Sequence, residues 1–111
     1  NLSLTMILLT HGHFDHLYAA DALRDVSHAP LMIHKNDADM LTDPMANASL
    51  LFFRKGDTYR PADRLLKGGD VLPLGSTLIT VRHTPGHLLR ESFSQRTLLL
   101  LFLICTSILK Y

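Results

Sequence analysis

The run Thr10-His11-Gly12-His13-Phe14-Asp15-His16 constrains this chain more than any other feature. It places three of the seven histidines and one carboxylate within six consecutive residues. Imidazole and carboxylate are the usual protein ligands of Zn²⁺ and Fe²⁺. Residues 6–9, just ahead of it, are Met-Ile-Leu-Leu and predict a short buried strand. In an extended chain His11 and His13 point to the same side, so both rings can grip one ion. Gly12 between them has no side chain and lets the backbone pass close to that ion. Asp15 and His16 fall where a helix is expected to begin, and their different direction suits a second ion. A polar loop has no need of so many ligands after an apolar strand.

The rest of the chain reads as a small α/β domain. Leu17, Ala20, Leu23 and Val26 recur at helical spacing, with Asp21, Arg24 and Asp25 on the other side. Asp15 near the helix start suits the helix dipole, and Pro30 stops the helix by Ala29. Residues 31–34 predict a second strand, parallel to the first. Asn36 is expected to cap a short helix over residues 37–41, ended by Asp43-Pro44. Residues 45–60 read as a loop with some helix. Leu65-Leu66 and residues 71–74 flank Lys67-Gly68-Gly69-Asp70, a hairpin-like turn. Residues 77–83 then alternate as one half-buried strand that runs into Thr84-Pro85-Gly86-His87, where His87 emerges past a tight turn.

Composition narrows the classes of function. With 111 residues the chain is long enough for one small domain with a real core. Its 47% apolar content fits a globular chain and not a disordered one. A net charge of +1 gives no electrostatic reason to expect nucleic acid or an anionic membrane. The single Cys105 excludes an internal disulfide and fits a reducing, cytoplasmic setting. No secretory signal is visible. The apolar run at residues 98–105 is shorter than the ~20 residues a spanning helix needs, and reads as a buried strand. Asn1 is not an initiator residue, and the first strand carries ligands with no strand before it, so the chain reads as a fragment.

The residues Ile7 to His16 and His83-Thr84-Pro85-Gly86-His87 together resemble a metallo-β-lactamase-fold hydrolase. Within that superfamily the chain is similar to the glyoxalase II-like (hydroxyacylglutathione hydrolase-like) branch. Residues 19–24, 41–44 and 62–70 also read like that branch. The resemblance covers residues 5–87. It implies a partial αββα sandwich over residues 1–87 and an aberrant tail over 88–111. It implies a binuclear centre, Zn²⁺ with Fe or Mn as alternatives, in which His11, His13 and His87 hold the first metal and Asp15 and His16 the second. Asp15 also orients the nucleophile. The implied reaction is hydrolysis of a small-molecule substrate, a hydroxyacyl-glutathione thioester, by a metal-bound hydroxide. The family's later bridging aspartate and final histidine have no candidate, since no Asp or His follows His87. The competing expectation is therefore a remnant that binds at most one zinc without catalysis; another is a relative acting on a different ester, lactone or phosphodiester. Family members usually follow the histidine at the His87 position with Thr-Pro, and one base lost from ACT-CCT-G leaves CTC-CTG. That encodes Leu-Leu, as at Leu88-Leu89, and marks residues 88–111 as a shifted reading frame.

The remaining histidines have plainer readings. His83 structures its turn, His34 is packed or solvent-facing at a strand end, and His28 sits at a helix C-terminus. Asp37, Asp39, Asp57, Asp63 and Asp70 read as caps, turns and surface. Met6, Met32, Met40 and Met45 read as core filling.

Overall fold

The chain enters through β1 (Leu2–Leu4) and reaches the core at β2 (Ile7–Leu8). A single helical turn, α1 (Phe14–Leu17), and a longer helix, α2 (Ala20–Ser27), lead to β3 (Leu31–His34). β3 lies parallel to β2, with Ile7 opposite Leu31 and Leu8 opposite Met32. A 3₁₀ segment (Lys35–Leu41) and a short helix, α3 (Ser49–Phe52), follow. β4 (Arg64–Leu66) then adds to the sheet in parallel beside β3, giving the order β2-β3-β4. β5 (Val71–Leu74) and β6 (Thr77–Thr80) form a separate antiparallel hairpin, and β7 (Ser107–Leu109) pairs antiparallel with β1. This computed structural model describes residues 2–83 and 107–109. The expected turn and ligand at residues 84–87 and the expected strand at 98–105 lie outside those residues.

Strand alternation places the core on both faces of the parallel sheet. Ile7, Leu9, Leu31 and Ile33 pack with Leu17, Ala20, Ala29 and Leu41 on the helical side. Met6, Leu8 and Met32 pack with Leu66 and Leu72 on the opposite side, backed by Ile79 and Val81 of the hairpin and its exit. The sheet is thus sandwiched between a helical layer and a hairpin, as expected for part of an α/β sandwich.

Four local expectations differ from the structure for identifiable reasons. The helix expected after His16 is two pieces, and Val26 is 80% exposed. A repeat of three residues falls about 60° short of a full turn at each step. Within α2, two such steps from the buried Ala20 turn Val26 about 120° away from it. The cap of the 3₁₀ segment is His34 rather than Asn36: the Asn36 N–H donates to His34 Nδ1 at 3.2 Å. Lys67–Asp70 does form a turn, closed by Lys67 N–H to Asp70 Oδ2 at 3.0 Å and Asp70 N–H to Lys67 O at 3.1 Å, with Gly69 at φ 91°. It joins two sheets, however, instead of closing a hairpin. β4 is held to β3 from the start, because Asp63 N–H donates to Leu31 O at 2.8 Å and Asp63 Oδ2 accepts from Leu31 N–H at 2.7 Å. Finally, Met45 is 55% exposed, so it fills no core.

The polar face of α2 is a fastening and not merely solvated. Arg24 donates to the carbonyls of Arg60 (3.0 Å) and Pro61 (2.7 Å) and to Asp63 Oδ2 (3.2 Å). Arg60 returns the contact to Asp25 at 2.8 Å. These bonds pin the chain entering β4 against the helix that follows the ligand motif.

Candidate metal centre

Parallel pairing continues one residue past β2, where Leu9 N–H donates to Met32 O at 2.9 Å. The chain then leaves the sheet and carries His11, Gly12 and His13 across its end into α1. His13 is still extended (φ −71°, ψ 148°) and stands at the helix N-cap, where its carbonyl accepts from His16 N–H at 3.0 Å. Phe14 N–H donates to Asn47 O at 2.8 Å, which ties the start of α1 to the segment before α3. Gly12 faces the 3₁₀ segment: a Cβ there would overlap Met40 Cβ and sit 3.4 Å from Asp37 O. The glycine expected to clear space for an ion thus gives close approach to a neighbouring element.

His11 and His13 are each only 3% exposed. Their rings meet edge to face at 4.7 Å, as same-side histidines should. The His16 ring comes to 4.2 Å from that of His11. His16 Nε2 lies 3.6 Å from Asp15 Oδ2. One ligand atom from each of His11, Asp15 and His16 falls within 4.8 Å of the others. Two imidazole nitrogens and a carboxylate oxygen at that spacing fit a first-row divalent metal. The cluster brings His11, which the resemblance gives to the first metal, beside Asp15 and His16, which it gives to the second. His87, assigned to the first set, lies outside the described residues.

Two features prepare these rings for a cation. Burial pushes the His13 imidazole below its ordinary pKa of 6.5, against the opposing pull of the nearby Asp15 carboxylate. The ring therefore stays neutral, the state a metal requires. Thr10 Oγ1 lies 2.8 Å from His11 Nδ1. With the ring proton on Nδ1, His11 donates to that hydroxyl and presents the Nε2 lone pair, the usual way an outer partner fixes a ligand's tautomer.

The other histidines lie elsewhere. His34 and His83 stack face to face at 4.1 Å and 9°, with Asn36 Nδ2 at 3.4 Å from His83 Nε2. His28 closes α2 in the left-handed region (φ 56°), its N–H donating to Arg24 O. Sequence reasoning missed the support beneath the site. Asn47 and Ser49 are fully buried. Asn47 Nδ2 donates to Asp57 O at 3.0 Å, Ser49 N–H to Asn47 Oδ1 at 2.9 Å, and Asp57 N–H to Ser49 Oγ at 2.8 Å. The signal was the Asn-x-Ser spacing, since Asn readily bonds the backbone two residues on.

The sequence profile of the metallo-beta-lactamase superfamily matches residues 1–88. This chain belongs to that superfamily. The probable metallo-hydrolase YqgX of Bacillus subtilis (strain 168) is 38% identical over 81 residues, covering 73% of this chain and 38% of that protein. An uncharacterized protein of Mycobacterium leprae (strain TN) is 39% identical over 94 residues, covering 78% of this chain and 42% of that protein. Among solved structures, the BLEG-1 B3 metallo-beta-lactamase superposes with a TM-score of 0.68 at 41% identity, covering 74% of this chain and 40% of that one. The chain therefore spans about two fifths of the length of these relatives. Membership of the superfamily implies a metal, and His11, Asp15 and His16 form a set able to hold one. Among the described residues no helix is long and apolar enough to cross a membrane.

Proposed function

We propose that this chain carries the metal-binding part of a metallo-hydrolase that cleaves small thioesters of the hydroxyacyl-glutathione type. The observation that carries the reading is the convergence of His11, Asp15 and His16 to within 4.8 Å, with the buried His13 ring against His11. His87 is the expected further ligand. Zinc is the ion best matched by these donors, and when bound it supplies Lewis acidity toward a carbonyl and lowers the pKa of water to about 7. The chain's own residues do the rest. His11 and His13 offer nitrogen lone pairs from a buried wall. Asp15, whose side chain is 46% exposed, holds its carboxylate at the open side, where it can both ligate and orient the attacking water. A thiolate leaves readily, so this chemistry asks for little general-acid help. The lone cysteine is in keeping with a cytoplasmic setting.

A second reading is favoured by the clustering of His11, Asp15 and His16 about one point. A single ion centred there uses the ligands brought together among the described residues. On that reading the chain binds one zinc and does not turn over thioester. Metal analysis of the purified monomer, together with a hydroxyacyl-glutathione assay against a His13→Ala control, separates the two. Turnover that disappears in the control supports the hydrolase reading. One zinc with hydrolysis no faster than free zinc supports the second. No bound zinc in the parent chain contradicts both.

A further inference from the structure

His11, Asp15 and His16 meet at one point but come from two pieces of backbone. His11 follows β2, and Leu9 N–H just ahead of it is bonded to Met32 O of the parallel sheet at 2.9 Å. Asp15 and His16 stand on α1, a helix of four residues. One turn fixes several backbone angles for very few hydrogen bonds, so it holds neither its shape nor its direction alone. Leu17 at its far end is fully buried in the core. Its first residue is held from outside, where Phe14 N–H donates to Asn47 O at 2.8 Å. That bond falls between His13 and Asp15 in the chain, so a shift of Asn47 O passes to Asp15, one peptide unit on.

Asn47 is itself held by its side chain. It is fully buried, and its amide spans a loop: Nδ2 donates to Asp57 O at 3.0 Å and Oδ1 accepts from Ser49 N–H at 2.9 Å. Ser49 Oγ closes that loop by accepting from Asp57 N–H at 2.8 Å. Between Asn47 and Ser49, Ala48 takes a left-handed conformation at φ 67°. A residue with a side chain stays in that region mainly where its surroundings impose it. The shape of the loop is thus fixed by its buried polar bonds.

We infer that Asn47 is a positioning residue of the metal centre: its buried amide, with Ser49, fixes the carbonyl that holds Phe14, and so sets where α1 carries Asp15 and His16 relative to His11. The inference rests on the metal set proposed above and adds the residue outside the motif that assembles it. The chain at His11 is placed instead by the sheet and by the approach of Gly12 to Met40. Loosening the Asn47 loop therefore displaces one part of the ligand set against the other. A ligand set held in the wrong geometry binds its ion less tightly even in a folded chain.

The test is a double-mutant cycle of zinc affinity on the full 111-residue chain, measured by chelator competition for the parent, Asn47→Ala, His16→Ala and the pair. Asn47→Ala should weaken zinc by about tenfold, the scale of losing a ligand's outer support. In the His16→Ala background the same change should cost about threefold or less, because one of the ligands it positions is already gone. The visible absorption of the Co²⁺-loaded chain should also change in Asn47→Ala, although every motif ligand remains. Equal losses in both backgrounds, or a parental Co²⁺ spectrum in Asn47→Ala, are what an effect through folding alone gives, and either overturns the inference. Ser49→Ala, which removes the acceptor of Asp57 N–H from the same loop, takes the place of Asn47→Ala if that variant does not fold. Parental zinc affinity in His16→Ala removes the metal set and the inference with it. Additive losses with a weakened His16→Ala remove the role of Asn47 alone.

Discussion

Replacing Gly12 by alanine tests how the ligand loop is positioned. The added Cβ would overlap Met40 Cβ and sit 3.4 Å from both Met40 Cγ and Asp37 O. Carbon atoms in contact prefer about 3.5–4.0 Å. Met40 Cβ is rigidly attached to the 3₁₀ backbone, so no rotamer change removes the clash. Either that segment moves or the chain between His11 and His13 does. Overpacking of this kind costs about 1–3 kcal/mol, while the stiffer unfolded chain returns about 0.4–1 kcal/mol. The net loss is about 1–2 kcal/mol, a fall in Tm of about 5–15 °C for a domain of this size. Because the strain falls between two ligands, zinc affinity should also drop by about tenfold or more, the scale seen when a ligand's support is removed. Thermal unfolding and zinc competition with a chromophoric chelator measure the two effects. Met40→Gly in the Gly12→Ala background removes the opposing Cβ and should recover part of both, giving a coupling of about 1 kcal/mol or more. Wild-type Tm and zinc affinity in Gly12→Ala, or no coupling to Met40→Gly, would refute the packing argument.

Three further outcomes follow from the same geometry. His13 has a folded pKa below its ordinary 6.5, so its contribution to stability is complete above that value and is lost as pH falls through the folded pKa; urea unfolding of the metal-free chain between pH 7 and 5 should show this, and His13→Asn should remove that component. Asn47→Ala leaves the buried Ser49 N–H without its Asn47 Oδ1 acceptor, while Asp57 O keeps its bond from Ser49 Oγ, and should cost about 1–3 kcal/mol in the same assay, with a cost near zero counting against the Asn47–Ser49 support. The Leu31 N–H donated to Asp63 holds that carboxyl below its ordinary 3.8, so its contribution is present above 3.8 and fades as pH falls below it; acid unfolding followed below pH 4 should lose one component in Asp63→Asn.

The ligand motif and the parallel strand pair were legible because both depend on period. The unbroken apolar runs at residues 6–9 and 31–34 predict short buried strands, and both faces of the sheet they form are filled. His11 and His13 were expected on one side by the same rule, and their rings meet. What could not be read depended on partners distant in sequence. Val26 looked apolar-facing until the drift of a three-residue repeat was followed from Ala20 within α2. The Lys67–Asp70 turn carries hairpin chemistry, but Asp63 had already committed β4 to β3. The joining of His11 to Asp15 and His16 depends on where α1 lies after His13. The start of α1 is bonded to Asn47 O, thirty-odd residues downstream, and Asn47 carries no periodic signal.

The central claim is that the motif histidines hold the metal and that His28 and His34 do not. Zinc affinity measured by competition on the full chain for His11→Ala, His13→Ala and His16→Ala, beside His28→Ala and His34→Ala, tests it most directly. The first three should each lose affinity by about tenfold or more, since each removes one of few ligands, and the last two should match the parent chain. Loss in His28→Ala or His34→Ala equal to that in His13→Ala, or parental affinity in all three motif variants, would contradict it.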